Sequence, residues 1–157
     1  MCDYSLMGLP NRLAVSDELL VVHRFPTNTV GLTSPCEVSA TEREKSGFWA
    51  AFKRYFATPK NDAVTAVCIP PGSRLLLQDI PANLRNQMDV GAVEPVVFTQ
   101  LTANAYAHRD AVRFQNGREL SLQYLSVGQR VKVLSVSGEA QPTTIPEDSE
   151  DRDLIFR

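Results

Sequence analysis

Long apolar runs and a strong charge of either sign are both missing from this sequence. No stretch reaches the roughly 18 apolar residues that a membrane-spanning helix requires, and no basic segment followed by an apolar one marks a secretion signal. The 16 basic and 18 acidic side chains give a net charge of −2, whereas nucleic-acid binders are usually strongly basic. We therefore expect a cytoplasmic protein that binds neither membranes nor nucleic acid.

Recognisable cofactor and metal motifs are missing as well. The sequence has no Gly-x-Gly-x-x-Gly run and no Gly-Lys-Ser or Gly-Lys-Thr phosphate loop. Its three cysteines, Cys2, Cys36 and Cys68, form no Cys-x-x-Cys pair, and their spacing to the two histidines matches no zinc or copper site. The cofactor is thus unknown, and no metal site is predicted. Reduced thiols are the simplest interpretation in a cytoplasmic protein, with Cys68 a small apolar residue of the core.

The composition that is present predicts one folded domain with an acidic end. Apolar residues make up 43% of the 157 residues and charged residues 22%, close to the globular average. The segment 138–157 holds six acidic and two basic side chains, with almost no apolar ones before Leu154. Such a segment cannot bury enough apolar area to offset its loss of conformational entropy. We predict a single β-rich domain at 1–137 and a flexible acidic tail at 138–157.

Short β-type segments separated by turn signals dominate the domain. They are rich in β-branched and large apolar residues. The predicted strands are Glu18–Phe25, Thr29–Thr33, Ala63–Ile69, Ser73–Gln78, Val93–Leu101, Ala111–Phe114, Arg118–Tyr124 and Gln129–Val136. Pro95 interrupts the fifth of them, which indicates an edge strand or a strand start. About seven or eight short strands at this spacing are typical of a small β-barrel or β-sandwich.

Three local patterns add detail to this mainly β fold. Aromatic residues recur on one face of the segment Phe48–Ala57, which predicts one amphipathic helix. The segment Ile80–Met88 is expected to form one or two helical turns, with Pro81 at an early position. Asn116 and Gly117 form the dipeptide that favours a type I′ turn, so the strands on either side of them are expected to pair as a hairpin.

Cys2 has the most suggestive chemistry in the sequence. A small second residue normally lets the cell remove Met1, so we expect a mature chain in which Cys2 carries both a thiol and an α-amine. An α-amine has a pKa of about 8, so much of it is neutral at physiological pH, and its protonated form favours the adjacent thiolate. Cys2 is a candidate nucleophile, metal ligand or redox thiol, and we predict that it is the most reactive of the three thiols. The alternative is a residue that only packs.

His23, His108 and Asp110 are the candidate partners of such a thiol. His23 lies within a predicted strand, where its ring faces either the core or solvent. Because alternate residues of a strand share a face, His108 and Asp110 are candidates for a pair in which the carboxylate orients the imidazole. The alternative is an exposed turn with a salt bridge between Arg109 and Asp110. We assign Cys2, His23, His108 and Asp110 as candidate catalytic residues.

Five segments of the sequence also carry a resemblance to known proteins. They are Met1–Leu6, Val22–Phe25, Ala66–Gly72, Tyr106–Ala111 and Gly128–Val131. Together they resemble an uncharacterised family of small bacterial proteins that open with Met-Cys-Asp-Tyr-Ser-Leu, and this opening is the most specific of the five. The resemblance covers about residues 1–136. It implies a bacterial origin, and it supplies no activity, cofactor or catalytic residue.

Two classes of function agree with these observations. In the first, the protein is a thiol-dependent enzyme or sensor in which Cys2 reacts with a small-molecule ligand or a protein, and His23 or His108 assists as a base. In the second, it is a non-catalytic β-barrel module whose open face or acidic tail binds a protein partner. A Cys2 within hydrogen-bonding reach of a histidine or carboxylate favours the first class, and a Cys2 packed among apolar side chains favours the second. The sequence leaves the oligomeric state open.

Overall fold

Nine strands form two sheets in the part of the chain that the structure describes. The computed structural model describes residues 6, 8–39, 64–104 and 106–137. The strands are β1 (Asn11–Leu13), β2 (Leu19–Arg24), β3 (Val30–Thr33), β4 (Ala66–Cys68), β5 (Arg74–Leu77), β6 (Glu94–Gln100), β7 (Asp110–Phe114), β8 (Glu119–Ser121) and β9 (Arg130–Ser135). A helix at Ala82–Met88, a 3-10 turn at Leu122–Tyr124 and a helical segment at 35–39 are also described. The predicted helix Phe48–Ala57 and the predicted tail 138–157 lie outside the described residues.

Seven of these strands form one sheet in the order β3-β2-β9-β5-β6-β7-β8. Every neighbouring pair in it is antiparallel, and antiparallel neighbours can be joined by short turns. The other two strands, β1 and β4, pair in parallel as a separate small sheet. The mainly β class expected from the sequence is therefore confirmed. β4 lies within the predicted strand Ala63–Ile69, whereas β1 and its parallel pairing with β4 were not predicted.

The main core lies on the apolar face of the large sheet. Successive side chains of a strand point to opposite faces, so Val131 and Val133 of β9 are buried while Arg130 is exposed. The same alternation buries Leu75 and Leu77 of β5. The main core comprises Ala14, Leu20, Val22, Val30, Leu32, Val67, Ile69, Leu75, Leu77, Ile80, Leu84, Met88, Val96, Phe98, Val112, Phe114, Leu120, Leu122, Leu125, Val131 and Val133.

The hairpin of β7 and β8 forms where the sequence predicts it, with a different turn. The Phe114 carbonyl accepts from the Gly117 N–H at 3.0 Å, and the Phe114 N–H donates to the Arg118 carbonyl at 2.9 Å. Gly117 has a φ of 84°, but Asn116 is not among the described residues with positive φ. A type I′ turn needs positive φ at both central residues, so the predicted type is wrong. The loop is a type I turn followed by a glycine bulge.

The same hairpin turn caps the helix Ala82–Met88, which confirms the helical turns expected there. Leu84 and Met88 are four residues apart and both buried, so one side of the helix faces the main core. The helix ends at Asp89, whose φ is 55°. The Asn116 side-chain amide donates to the carbonyls of Met88 and Asp89 at 2.9 and 3.2 Å. It thereby satisfies carbonyl groups that have no partner within the helix.

Pro95 lies inside the large sheet, at the second position of β6. Because β6 pairs with both β5 and β7, the predicted edge position is wrong, and the alternative of a strand start is correct. A proline has no N–H to donate to a ladder. The ladder between β6 and β7 begins only at Val96, so Pro95 precedes the part of β6 that is paired on that side.

One side chain joins the two ends of the large sheet. The sequence predicts a strand that runs to Tyr124, but β8 ends at Ser121 because the 3-10 turn Leu122–Tyr124 follows it directly. The Gln123 Nε2 donates to the Val30 carbonyl at 2.9 Å, and the Val30 N–H donates to Gln123 Oε1 at 3.0 Å. Within the described residues the backbone ladders do not close into a barrel, so the barrel or sandwich stays a prediction.

Candidate functional site

A second, smaller apolar cluster lies where the start of the chain meets β2 and β4. Its buried members are Leu6, Phe25, Ala66 and Cys68, and the half-buried Leu9 and Val64 pack against them. We call this set the N-terminal cluster. It draws on Leu6 from the segment before β1, on the residue after β2 and on two residues of β4. Because it contains one cysteine and adjoins His23, it is the first place to look for the predicted thiol chemistry.

The parallel pair of β1 and β4 holds Cys68 in this cluster. Leu13 of β1 lies opposite Cys68 in the register. Two hydrogen bonds extend the pairing at both ends: the Ala66 N–H donates to the Pro10 carbonyl at 2.8 Å, and the Ala14 N–H donates to the Cys68 carbonyl at 2.9 Å. The backbone of β4 is therefore fixed at both ends by bonds to the residues that flank β1.

Gly31 makes room for the cluster on the neighbouring strand. A Cβ at this position would lie 2.9 Å from Leu6 Cδ1 and 3.1 Å from Phe25 Cε2, which is closer than carbon atoms normally approach. Gly31 belongs to β3 and lies opposite His23 in the antiparallel register with β2. An isolated glycine inside a strand often marks such a close approach. Here it lets Leu6 lie directly over the sheet.

His23 is the predicted site residue that the structure places beside this cluster. It is half-buried on β2, and its ring meets the Phe25 ring edge-on, with centroids 5.1 Å apart and planes at 89°. Aromatic rings prefer this edge-to-face arrangement because the electron-poor edge of one faces the electron-rich face of the other. Since Phe25 is a buried member of the N-terminal cluster, His23 forms part of the wall around it.

Cys68 is disulfide-bonded and only 6% exposed. The expectation that all three cysteines are reduced thiols is therefore wrong for this residue, because sequence spacing alone does not reveal which sulfur atoms the fold brings together. Cys36 is a free thiol and exposed, so in the oxidised chain it is open to reagents. Cys2 lies outside the described residues, and its predicted reactivity stays a prediction.

His108 and Asp110 occupy a different part of the fold. His108 is exposed in the loop before β7, and Asp110 is buried at the start of that strand. The Gln100 side chain donates to Asp110 Oδ1 at 3.5 Å, and the Ser121 hydroxyl donates to the Asp110 carbonyl at 3.5 Å. β7 is separated from β2, the strand of His23, by β9, β5 and β6 in the order of the sheet. Cys2 lies outside the described residues, so the site of four residues stays a prediction.

A polar network ties β1 to the segment before β2. Arg12 and Glu18 form two hydrogen bonds, Nη1 to Oε1 at 3.2 Å and Nη2 to Oε2 at 2.8 Å. The Arg12 guanidinium also donates to the Ser34 hydroxyl at 3.1 Å. The hydrogen bonds to Glu18 raise the pKa of Arg12 above its ordinary value, against the burial that would lower it. This bidentate pair, which sequence reasoning missed, orients β1 and therefore supports the strand that pairs with β4.

The described residues contain no candidate metal site and no candidate membrane-spanning helix, and no known protein matches the chain. No group of three or more His, Cys, Asp or Glu side chains in this part of the chain is placed to hold a metal ion. None of its helices has the length and apolar character needed to cross a bilayer. Comparisons of the chain with known protein families, with curated proteins and with solved structures found no match.

Proposed function

We propose that the protein is a thiol-dependent redox sensor whose chemistry is centred on the N-terminal cluster. The observation that supports this most directly is the disulfide bond of the buried Cys68, which lies on β4 in the N-terminal cluster. A covalent bond at Cys68 acts directly on the packing of this cluster, because Cys68 is one of its buried members. Making or breaking the bond would therefore change the structure around it, which is what a sensor requires.

In this proposal Cys2, exposed by removal of Met1, is the thiol that reacts with the redox signal. A thiol reacts as its thiolate, and the adjacent α-ammonium favours that form. His23 assists as a base in the proposal, because its ring packs against Phe25 at the wall of the cluster. His108 and Asp110 stay candidates for a separate role, since Asp110 begins β7, which is not a ladder neighbour of β2.

The cellular setting of the proposal is the bacterial cytoplasm, with no nucleic acid or membrane as partner. The charge balance and the family resemblance support this setting. A stable structural disulfide is uncommon in that compartment, because glutathione and thioredoxin keep thiols reduced. A disulfide there is more commonly transient and redox-sensing, which again favours a sensor over a bond that only stabilises the fold.

The redox titration of the Cys68 disulfide in the folded, full-length protein tests the proposed function. Equilibration in dithiothreitol buffers of graded potential, followed by acid quenching and mass spectrometry of alkylated protein, should give a reversible midpoint above about −300 mV, because structural disulfides usually lie below that value. The Cys36→Ser variant is the matched control and should give the same midpoint. A bond that stays closed at lower potentials would identify a structural disulfide and contradict the sensor.

The alternative function is a non-catalytic protein-interaction module, and two exposed tyrosines favour it. Tyr106 and Tyr124 are 82% and 74% exposed, and tyrosine is enriched in protein–protein interfaces. In this alternative the sheet acts as a barrel closed by Gln123 and presents these rings to a partner. The domain at 1–137 is then the binding unit and 138–157 its acidic appendage. The redox titration separates the two functions, because a binding module needs no reversible disulfide.

A further inference from the structure

We propose that Asn116 and Gly117 form a self-modification site, at which the Asn116 side chain deamidates when the hairpin of β7 and β8 leaves the helix Ala82–Met88. Asn116 is the only asparagine of the sequence that precedes a glycine. Deamidation is fastest before glycine, because the reaction closes a ring through the backbone nitrogen of the next residue and a side chain there obstructs it. Both residues are exposed in the turn, and nothing lies within 4 Å of a Cβ added at Gly117, so water reaches the site.

The docked hairpin keeps these two residues from reacting. The ring closes only when the Gly117 nitrogen meets the Asn116 Cγ. In the structure the Asn116 Nδ2 donates to the carbonyls of Met88 and Asp89 at 2.9 and 3.2 Å. The Gly117 N–H is itself bonded to the Phe114 carbonyl at 3.0 Å. Both groups must therefore be released from these bonds before the ring can close.

A second tether strengthens the contact between the hairpin and the helix. The Arg118 Nη1 donates to the Gln87 carbonyl at 2.7 Å, so the hairpin binds the carbonyls of three successive residues, 87–89, at the end of the helix. The last carbonyls of a helix have no partner within it, which is why donors from the hairpin are stabilising here. Release of the hairpin breaks all of these bonds. The rate of deamidation thus reports how often this part of the fold opens.

The reaction consumes water and releases ammonia. The Gly117 nitrogen, after losing its proton to the solvent, attacks the Asn116 Cγ and forms a cyclic succinimide. The bond between Cγ and Nδ2 breaks, and Nδ2 leaves as ammonia with a proton from the solvent. Water then opens the ring at either carbonyl, which gives aspartate or isoaspartate at this position. The net change replaces an amide by a carboxylate and needs no oxidant or reductant.

The product cannot restore the contact with the helix. A side-chain amide has two N–H donors, whereas an ionised carboxylate only accepts. At position 116 the carboxylate would face the carbonyl oxygens of Met88 and Asp89, which the amide now contacts as a donor. It can still accept from the Arg118 N–H, as the Asn116 Oδ1 does at 3.0 Å. The turn therefore survives, while its contact with the helix becomes repulsive, and the modification fixes the undocked state.

Peptide mapping of full-length protein aged at mildly alkaline pH tests the site and its dependence on docking. We expect the mass gain of an amide converted to an acid at Asn116, with Asn28 unchanged because the β-branched Thr29 follows it. The native rate should be at least about tenfold below the rate in guanidinium chloride, which corresponds to an opening free energy of about 1.4 kcal/mol or more. Arg118→Ala should raise the native rate by roughly 2–10-fold, the range for loss of one hydrogen bond. Gln115→Ala, in the same exposed turn, is the matched control and should leave the rate unchanged.

The variant Asn116→Asp introduces the aspartate product directly. We expect its thermal midpoint to fall by roughly 3–8 °C, and by more than that of Asn116→Ala, which loses the donors but adds no charge. Equal rates in native and denatured wild type would overturn the dependence on docking. Earlier deamidation at another asparagine, or an Asn116→Asp variant as stable as wild type, would overturn the site. The rates of wild type decide the question even if a variant fails to fold.

Discussion

The main core and the N-terminal cluster are stabilised in different ways. Among the described residues, the main core has 21 buried members and the N-terminal cluster has four. The former lies on a seven-stranded antiparallel sheet, and the latter lies beside a parallel pair of three-residue strands. Apolar burial contributes roughly 1.5–3 kcal/mol for each large side chain, so the main core can support the fold, whereas the small cluster has little to offset the entropy of ordering its segment.

The difference shows what a small apolar cluster needs in addition to packing. Small protein domains, whose apolar core contributes little stability, usually require a disulfide, a metal or another link to stay folded. The N-terminal cluster contains the disulfide-bonded Cys68, and the bidentate pair of Arg12 and Glu18 supports the adjoining strand β1. The main core has neither feature among its 21 members. The N-terminal cluster is therefore the part of the described chain whose packing depends most directly on a chemical change at one bond.

The largest effect is expected from Phe98→Ala in the main core. Phe98 is 1% exposed and belongs to the interior strand β6, so the substitution leaves a cavity that its packed surroundings cannot fill. We expect a loss of about 3–5 kcal/mol in the free energy of unfolding, measured by urea denaturation. Tyr124→Ala is the control and should cost less than about 0.5 kcal/mol because Tyr124 is exposed. Similar losses in the two variants would contradict the assignment of the main core.

A smaller, local effect is expected from Gly31→Ala beneath the N-terminal cluster. The added methyl group would meet Leu6 and Phe25 at 2.9 and 3.1 Å, and overpacking of this kind costs about 1–3 kcal/mol. In a Leu6→Ala background the cost should fall, giving a coupling energy of about 0.5–3 kcal/mol in a double-mutant cycle. Gly8→Ala is the matched control, since nothing lies within 4 Å of its added Cβ. Additive effects of the Gly31 and Leu6 substitutions would show that the two residues do not touch.

The smallest effect is expected from removal of residues 138–157. Ser137 closes the end of β9: its N–H donates to the Ser73 hydroxyl at 3.0 Å, and its own hydroxyl donates to the Pro71 carbonyl at 2.7 Å. A chain ending at Ser137 keeps these bonds, and we expect its thermal midpoint to fall by less than about 3 °C. A chain ending at Val136 loses both and should be less stable. A larger fall in the Ser137 chain would show that the acidic segment stabilises the domain.

Strands with a local pattern were predictable, and contacts between distant segments were not. The segments Glu18–Phe25 and Gln129–Val136 appear as β2 and β9, because alternation and β-branched residues act over a few neighbours. The parallel pairing of β1 with β4 could not be predicted from such local patterns, since the two strands are more than fifty residues apart. The turn at Asn116 was misassigned because the same dipeptide fits two turn types, and only the observed φ angles distinguish them.

The candidate site was predictable in part. His23 was identified from its residue type, and the structure places it beside the N-terminal cluster. Gly31 could have been found from its position inside a strand, where glycine signals a close approach. The disulfide of Cys68 could not, because pairing depends on which sulfur atoms the tertiary fold brings together. The same holds for Arg12 and Glu18, whose bidentate geometry depends on the turn between them.

The two hydrogen bonds of Gln123 to Val30 have a consequence for assembly. β3 has a ladder partner on one side only in the described sheet, and an open strand edge is a template on which a second chain can add. At Val30 the side-chain amide of Gln123 already occupies both backbone groups. Gln123 thus prevents another strand from pairing with the backbone of Val30 at this edge of the sheet.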